Sequence, residues 1–191
     1  NTFINNIFFD EPEITSFAEE GILKKLSLNP NEEDDFIDED LTMKDYLKEI
    51  ISNFKETSDK SFILNFDQDS NSKKITKSIE IVYGLRNFIG NANKFSSSKV
   101  YITLKSDNEY TEVIIEDNGN GYPNEILSKI GEPYLKSNSQ DTKNKTGLGL
   151  GIFIGKTLLE KNYASINCRN SKTRGGAEII IKWKNKDLNK I

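Results

Sequence analysis

From Thr76 to Lys94 the apolar residues Ile79, Val82, Leu85, Ile89 and Ala92 recur at steps of three and four, the period of a helix with one buried face. A second such face, Leu41, Leu47, Ile50, Ile51 and Phe54, runs to about Glu56. It opens on Thr42-Met43-Lys44-Asp45, which resembles a capping box with Asp in place of Glu. Between these helices Ser61 to Phe66 alternates as a short strand. Val100 to Leu104 and Thr111 to Glu116 read as strands joined in a hairpin at Asp107-Asn108. Asp117 to Gly121 forms a turn, Pro123 starts a short helix to about Ile130, and 131–145 is a long polar loop. The pattern then predicts a helix from Leu150 to Lys161 and strands near 164–169 and 176–183. Upstream, Ile14, Phe17, Ile22, Leu26 and Leu28 give an imperfect helical stripe over 13–28, while 1–12 shows no period. The run Asn29-Pro30-Asn31-Glu32-Glu33-Asp34-Asp35 is a turn followed by solvated acidic residues, and the domain boundary falls there. The chain thus divides into a helical segment with a linker (1–30) and a main domain (31–191).

Composition narrows the chemistry. A chain of 191 residues, 35% hydrophobic and 29% charged, suits one domain with an appendage. A net charge of −4 argues against general nucleic-acid binding, which needs a basic face. No apolar run approaches the roughly 18 residues of a membrane span. The start Asn1-Thr2-Phe3-Ile4 has no signal-peptide character and no initiator Met, so a piece of a longer protein is expected. Cys168 stands alone, which excludes an internal disulfide and a cysteine-rich metal site; it reads as a core thiol on a strand. The chain has no histidine, the commonest general base and metal ligand. Chemistry is left to carboxylates, amides, lysines and a bound ion.

Gly147, Gly149 and Gly151 stand at alternate positions immediately before the predicted 150–161 helix. Glycines there let backbone N–H groups approach an anion, and a helix N-terminus adds unpaired donors and a partial positive charge. Two familiar phosphate motifs fail. Gly151 to Thr157 has three residues between its glycines where the P-loop needs four, and neither Gly147 nor Gly149 starts a complete G-x-G-x-x-G. Three other pieces accompany the repeat. Asn87 and Asn91 lie at i and i+4 on the long helix, with Lys94 three residues on. Asp117-Asn118-Gly119-Asn120-Gly121 puts a carboxylate at a strand end beside two glycines, and Glu132-Pro133-Tyr134 begins the polar loop.

In order, these pieces resemble the N box, first glycine box, F box and second glycine box of the histidine kinase ATP-binding domain. The wider family includes heat-shock chaperone ATPases, MutL proteins and type II topoisomerases. The resemblance spans roughly residues 40–185, and Gly131 to Tyr134 with Leu148 to Glu160 look most like RegB/PrrB-type redox-responsive sensor kinases. It implies an α/β two-layer sandwich, a mixed sheet covered on one face by about three helices, preceded by a helical segment. The cofactors implied are ATP and Mg²⁺. Asp117 is then the acceptor for the adenine amino group, with Gly119 and Gly121 allowing close approach. Asn91 is the Mg²⁺ ligand through its amide oxygen, and Asn87 reaches metal or phosphates from one turn earlier. Lys94 supplies a point charge to the phosphates, Thr146 and the backbone of Gly147, Leu148, Gly149, Leu150 and Gly151 cradle the triphosphate, and Tyr134 folds over the nucleotide.

The hydrolysing members of the family resemble each other in a Glu four residues before the metal-binding Asn, where it serves as general base. This chain has Asn87 there, which points to phosphoryl transfer rather than hydrolysis. With no acceptor histidine present, the resemblance implies that the helix at 13–28 ends a dimerisation region whose histidine lies outside the fragment. The full-length protein is then a homodimer, cytoplasmic in this part and anchored in the inner membrane by other regions. It phosphorylates its own histidine and passes the phosphate to a response-regulator receiver domain. The alternative is a non-catalytic, nucleotide-dependent switch of the same fold. The redox cysteine of the subfamily would lie outside the chain, so redox sensing is not carried over.

Overall fold

The computed structural model describes residues 42–67, 78–132 and 150–188, with the backbone alone at Leu150. The expected 13–28 helix, the acidic linker and most of the 131–145 loop lie outside the described residues. The elements in chain order are α1 (Met43–Thr57), β1 (Ser61–Phe66), α2 (Ile79–Phe95), β2 (Lys99–Ser106), β3 (Tyr110–Asp117), α3 (Asn124–Leu127), α4 (Leu150–Lys161), β4 (Ser165–Asn170), β5 (Ala177–Lys184) and α5 (Asn185–Leu188).

The strands form one mixed sheet in the order β1-β2-β3-β5-β4, with β1 parallel to β2 and the other pairs antiparallel. Its registers explain the core. Ile102 faces Ile115, which faces Ile179; Leu104 faces Val113, which faces Ile181. All six are buried, so period-two alternation lines up apolar rows on one side of the sheet. The next row sets Val100 opposite Asp117. Sharing the parity of Val113 and Ile115, Asp117 is also buried, a carboxylate at the end of an apolar face.

The helices cover that face. On α2 the residues Ile81, Val82, Leu85, Phe88, Ile89 and Ala92 are buried, and α2 packs against β2, β3, α1 and α4. The capping box on α1 forms as its sequence suggests: Asp45 N–H donates to the Thr42 hydroxyl at 3.3 Å, and Thr42 N–H to the Asp45 carboxylate at 3.1 Å. The Thr42 hydroxyl holds the Asp45 carboxyl below its ordinary value. Two-layer α/β architecture is therefore realised as expected.

Some boundaries move. The helix expected from Pro123 to Ile130 is α3, a single turn ending at Leu127, and a last short helix, α5, follows β5 without an expected counterpart. The helix expected from Thr76 begins at Ile79, because the Ser78 hydroxyl accepts from Ile81 N–H and caps it. No helix among the described residues is long and apolar enough to cross a membrane.

Candidate functional site

Asp117 is 3% exposed. Its carboxylate accepts the Gly119 backbone N–H at 2.7 Å, and the Ala177 backbone N–H also donates to it. Burial raises its pKa, and those two N–H groups oppose the rise. Both glycines beside it are required by space. A Cβ at Gly119 would fall 2.1 Å from the Phe95 carbonyl oxygen, and one at Gly176 would fall 2.2 Å from Asp117 Oδ1. The turn after β3 is thus wedged between the C-terminus of α2 and the β4–β5 turn, with the carboxylate fixed inside.

The second half of the site lies along α2. Asn87 Nδ2 donates to the Tyr83 carbonyl at 2.9 Å, which orients the amide and leaves Oδ1 as its outward acceptor. Asn91 Nδ2 is buried with no hydrogen-bond partner among the described residues, so it lacks the acceptor that burial demands. Gly151 faces both amides: a Cβ there would lie 3.4 Å from Asn91 Nδ2 and 3.7 Å from Asn87 Oδ1. The first turn of α4, through Gly151, therefore abuts the face bearing the two asparagines. From Asn87 to Phe95 the site extends about 12 Å along the axis of α2.

Lys94 is exposed, and its ammonium lies 5.1 Å from the Phe95 ring centroid. Gly121 adopts φ +70° beside Asn170. Tyr134, Thr146, Gly147, Leu148 and Gly149 lie outside the described residues, and Leu150 begins α4. The structure thus brings Asn87, Asn91, Gly151, Asp117, Gly119 and Gly121 to the ends and facing surfaces of elements that touch.

Three residues join the site that the sequence alone did not single out. Phe95 stands 62% exposed with its carbonyl against Gly119; its aromatic type next to the expected Lys94 was the available signal. Gly176 abuts Asp117, and Asn170 holds the loop after Gly121. Neither could be found locally, since they are about 50 to 60 residues away in sequence. Cys168 is half-buried on β4, and burial pushes its thiol up to about 11, so it is neutral at pH 7.

A buried carboxylate at a strand end, paired helical amides and a glycine-led helix on a one-sided mixed sheet define a class. Residues 76–187, well over half of the chain, match the model of the histidine kinase-, DNA gyrase B- and HSP90-like ATPases, and the chain belongs to that family. Within it, the sensor histidine kinase RegB of Cereibacter sphaeroides is 34% identical over 108 residues, 54% of this chain and 23% of RegB. The sensor protein SrrB of Staphylococcus aureus is 32% identical over 98 residues, 50% of this chain and 17% of SrrB. The chain thus spans less than a quarter of the length of these relatives. Among solved structures, the mycobacterial sensor histidine kinase MprB superposes with a TM-score of 0.64 at 20% identity, covering 75% of this chain and 96% of the other. The catalytic domain of histidine kinase ThkA gives 0.61 at 19%, covering 76% and 94%. ShkA, solved full-length in complex with AMPPNP, gives 0.60 at 20%, covering 75% and 30%. These likenesses show the fold: a five-stranded mixed sheet with helices on one face, as in histidine kinase catalytic domains.

Proposed function

We propose that this chain is the ATP-binding catalytic part of a two-component sensor histidine kinase. It moves the γ-phosphoryl group of ATP to a histidine on a dimerisation domain outside these residues, and the phosphate then passes to the aspartate of a response-regulator receiver domain. The observation that carries the reading is the pairing of a buried, backbone-held Asp117 with the Asn87 and Asn91 amides that face Gly151. A fixed carboxylate accepts from the 6-amino group of adenine and rejects the carbonyl of guanine. Phe95, whose backbone carbonyl abuts Gly119, is exposed at the end of α2 and is proposed to offer its ring as a face on which a planar base stacks.

The donor set also suits Mg²⁺. The cation prefers hard oxygens and takes few of them from protein, which the Asn87 and Asn91 amide oxygens provide. The buried Asn91 Nδ2, which has no acceptor among the described residues, suits a site completed by phosphate or water oxygens. When bound, the ion neutralises charge on the phosphates. Lys94, Thr146, Tyr134 and the backbone of 147–151 are proposed to hold the triphosphate and cover it. Asn87 has no useful basicity, so the domain positions the phosphate and leaves the nucleophile's proton to the acceptor. The full-length protein is proposed to be a homodimer anchored in the inner membrane by regions beyond these residues, with this part in the cytoplasm.

Calorimetry with a non-hydrolysable ATP analogue tests the reading. Binding is expected in the wild type, stronger with Mg²⁺, and weakened at least about tenfold in Asp117→Ala, the loss of a hydrogen bond to a charged group. A wild type that binds no nucleotide overturns it. Phosphorylation of a histidine-bearing dimerisation domain added in trans separates a kinase from a nucleotide-dependent switch that binds without transferring.

A further inference from the structure

We propose that Asn170, the last residue of β4, is a positioning residue for the base end of the nucleotide site, an inference that rests on the nucleotide reading above. Its amide binds both backbone groups of Tyr122: Oδ1 accepts the Tyr122 N–H at 2.6 Å, and Nδ2 donates to the Tyr122 carbonyl at 2.9 Å. Tyr122 has left β3 and has no strand partner in the register of the sheet, so this side chain substitutes for a ladder. Only a carboxamide at this reach serves, because it accepts and donates from one rigid plane. The clamp also sets the path of the preceding residue. Gly121 sits at φ +70°, and a Cβ there would fall 2.7 Å from Asn170 Oδ1 and 3.3 Å from the Gly176 carbonyl oxygen. Gly176 in turn presses on Asp117. Asn170, Gly121, Gly176 and Asp117 thus form one contiguous stack. The clamp fixes the loop that walls the carboxylate, so it governs where that carboxylate meets the 6-position of a purine. Burial and the neighbouring Cys168 and Asp117 push the Tyr122 phenol well above its ordinary pKa.

The test compares ATP with ITP, which carries a 6-oxo group in place of the 6-amino group, on the full chain. Equilibrium binding of both nucleotides and of inorganic tripolyphosphate is measured for wild type, Asn170→Ala and Asn170→Asp, beside thermal midpoints. The expected result is that Asn170→Ala weakens ATP about tenfold while ITP and tripolyphosphate change little, so the ATP/ITP preference collapses. Asn170→Asp keeps the accepted bond and loses the donated one, and its preference should fall between the two. A lowered midpoint with an unchanged ATP/ITP ratio would make Asn170 merely structural and overturn the proposal, whichever of the two variants folds. A wild type with no ATP binding sinks the nucleotide reading itself, whereas intact wild-type preference retained in both variants sinks only the role of Asn170.

Discussion

Asp117 is a single residue that opposes the stability of the fold around it at neutral pH. Its carboxylate is buried, and burial outweighs its two backbone donors in raising its pKa. A folded-state pKa above the unfolded value means the fold binds the proton more tightly than the unfolded chain does. The stability from this group is therefore complete below its unfolded pKa and is lost as pH rises through the folded value. Asp117→Asn removes that loss and keeps an oxygen to accept the Gly119 N–H. The variant should melt higher than wild type at pH 7.5, with the gap narrowing toward pH 4, as thermal unfolding across that range would show. It should also bind ATP at least about tenfold more weakly, because an amide N–H₂ cannot accept from the adenine amino group. A gap that is flat with pH would refute the burial argument. The sequence put Asp117 at the strand end, in the turn; the structure extends β3 through it, and parity with Val113 and Ile115 is what buries it on the apolar face.

At the scale of elements, α2 and α4 approach closely through small residues. A Cβ at Gly84 would fall 2.5 Å from Leu159 Cγ, and one at Gly155 would fall 3.1 Å from both Asn87 Cβ and Phe88 Cε2. Gly151, Gly155 and Leu159 follow at four-residue steps, so one stripe of α4 faces both the asparagines and the core. This explains why Gly151 to Thr157 only imitates a phosphate motif: Gly155 is a packing glycine. A glycine in a helix costs about 1 kcal/mol, here offset by the contact it allows. Gly84→Ala should destabilise by about 1–3 kcal/mol despite better helix propensity, because Leu159 is fully buried and has no room to yield. In a Leu159→Ala background the same substitution should cost less. Denaturant unfolding of the four proteins measures that coupling; strict additivity would disprove the contact.

On the scale of the whole molecule, the sheet carries two polar ends with different work. At the end opposite the site, Asn185 Oδ1 accepts from the Thr111 hydroxyl at 2.7 Å, and its Nδ2 donates to the Asp107 carbonyl at 2.8 Å. This buried network ties the β2–β3 hairpin to the chain leaving β5. Thr111 and Asp117 lie at opposite ends of β3, about 20 Å apart at strand rise. Asn185→Ala leaves the Thr111 hydroxyl with fewer partners and should destabilise by about 1–3 kcal/mol. Nucleotide affinity should stay within about twofold, since sites this far apart act independently. A parallel fall in affinity would mean that the two ends are coupled.

Local rules in the sequence determined most of the elements. Asn87, Asn91, Asp117 and the glycines were singled out by the joint order in which their boxes resemble the histidine kinase ATP-binding domain, while periods of two and near four exposed the strands and helices and a capping box started α1. Those signals are carried by neighbours within about four positions, which is where propensity and capping act. Tertiary structure alone decided what meets across the chain. It set Gly151 against the two amides, Phe95 against Gly119, Gly176 against Asp117 and Asn170 against Tyr122, and it limited the helix after Pro123 to one turn. The reason is physical. Such contacts follow from strand register and helix packing over tens of residues, and no local pattern in the intervening chain encodes which distant backbone atoms will close upon one another.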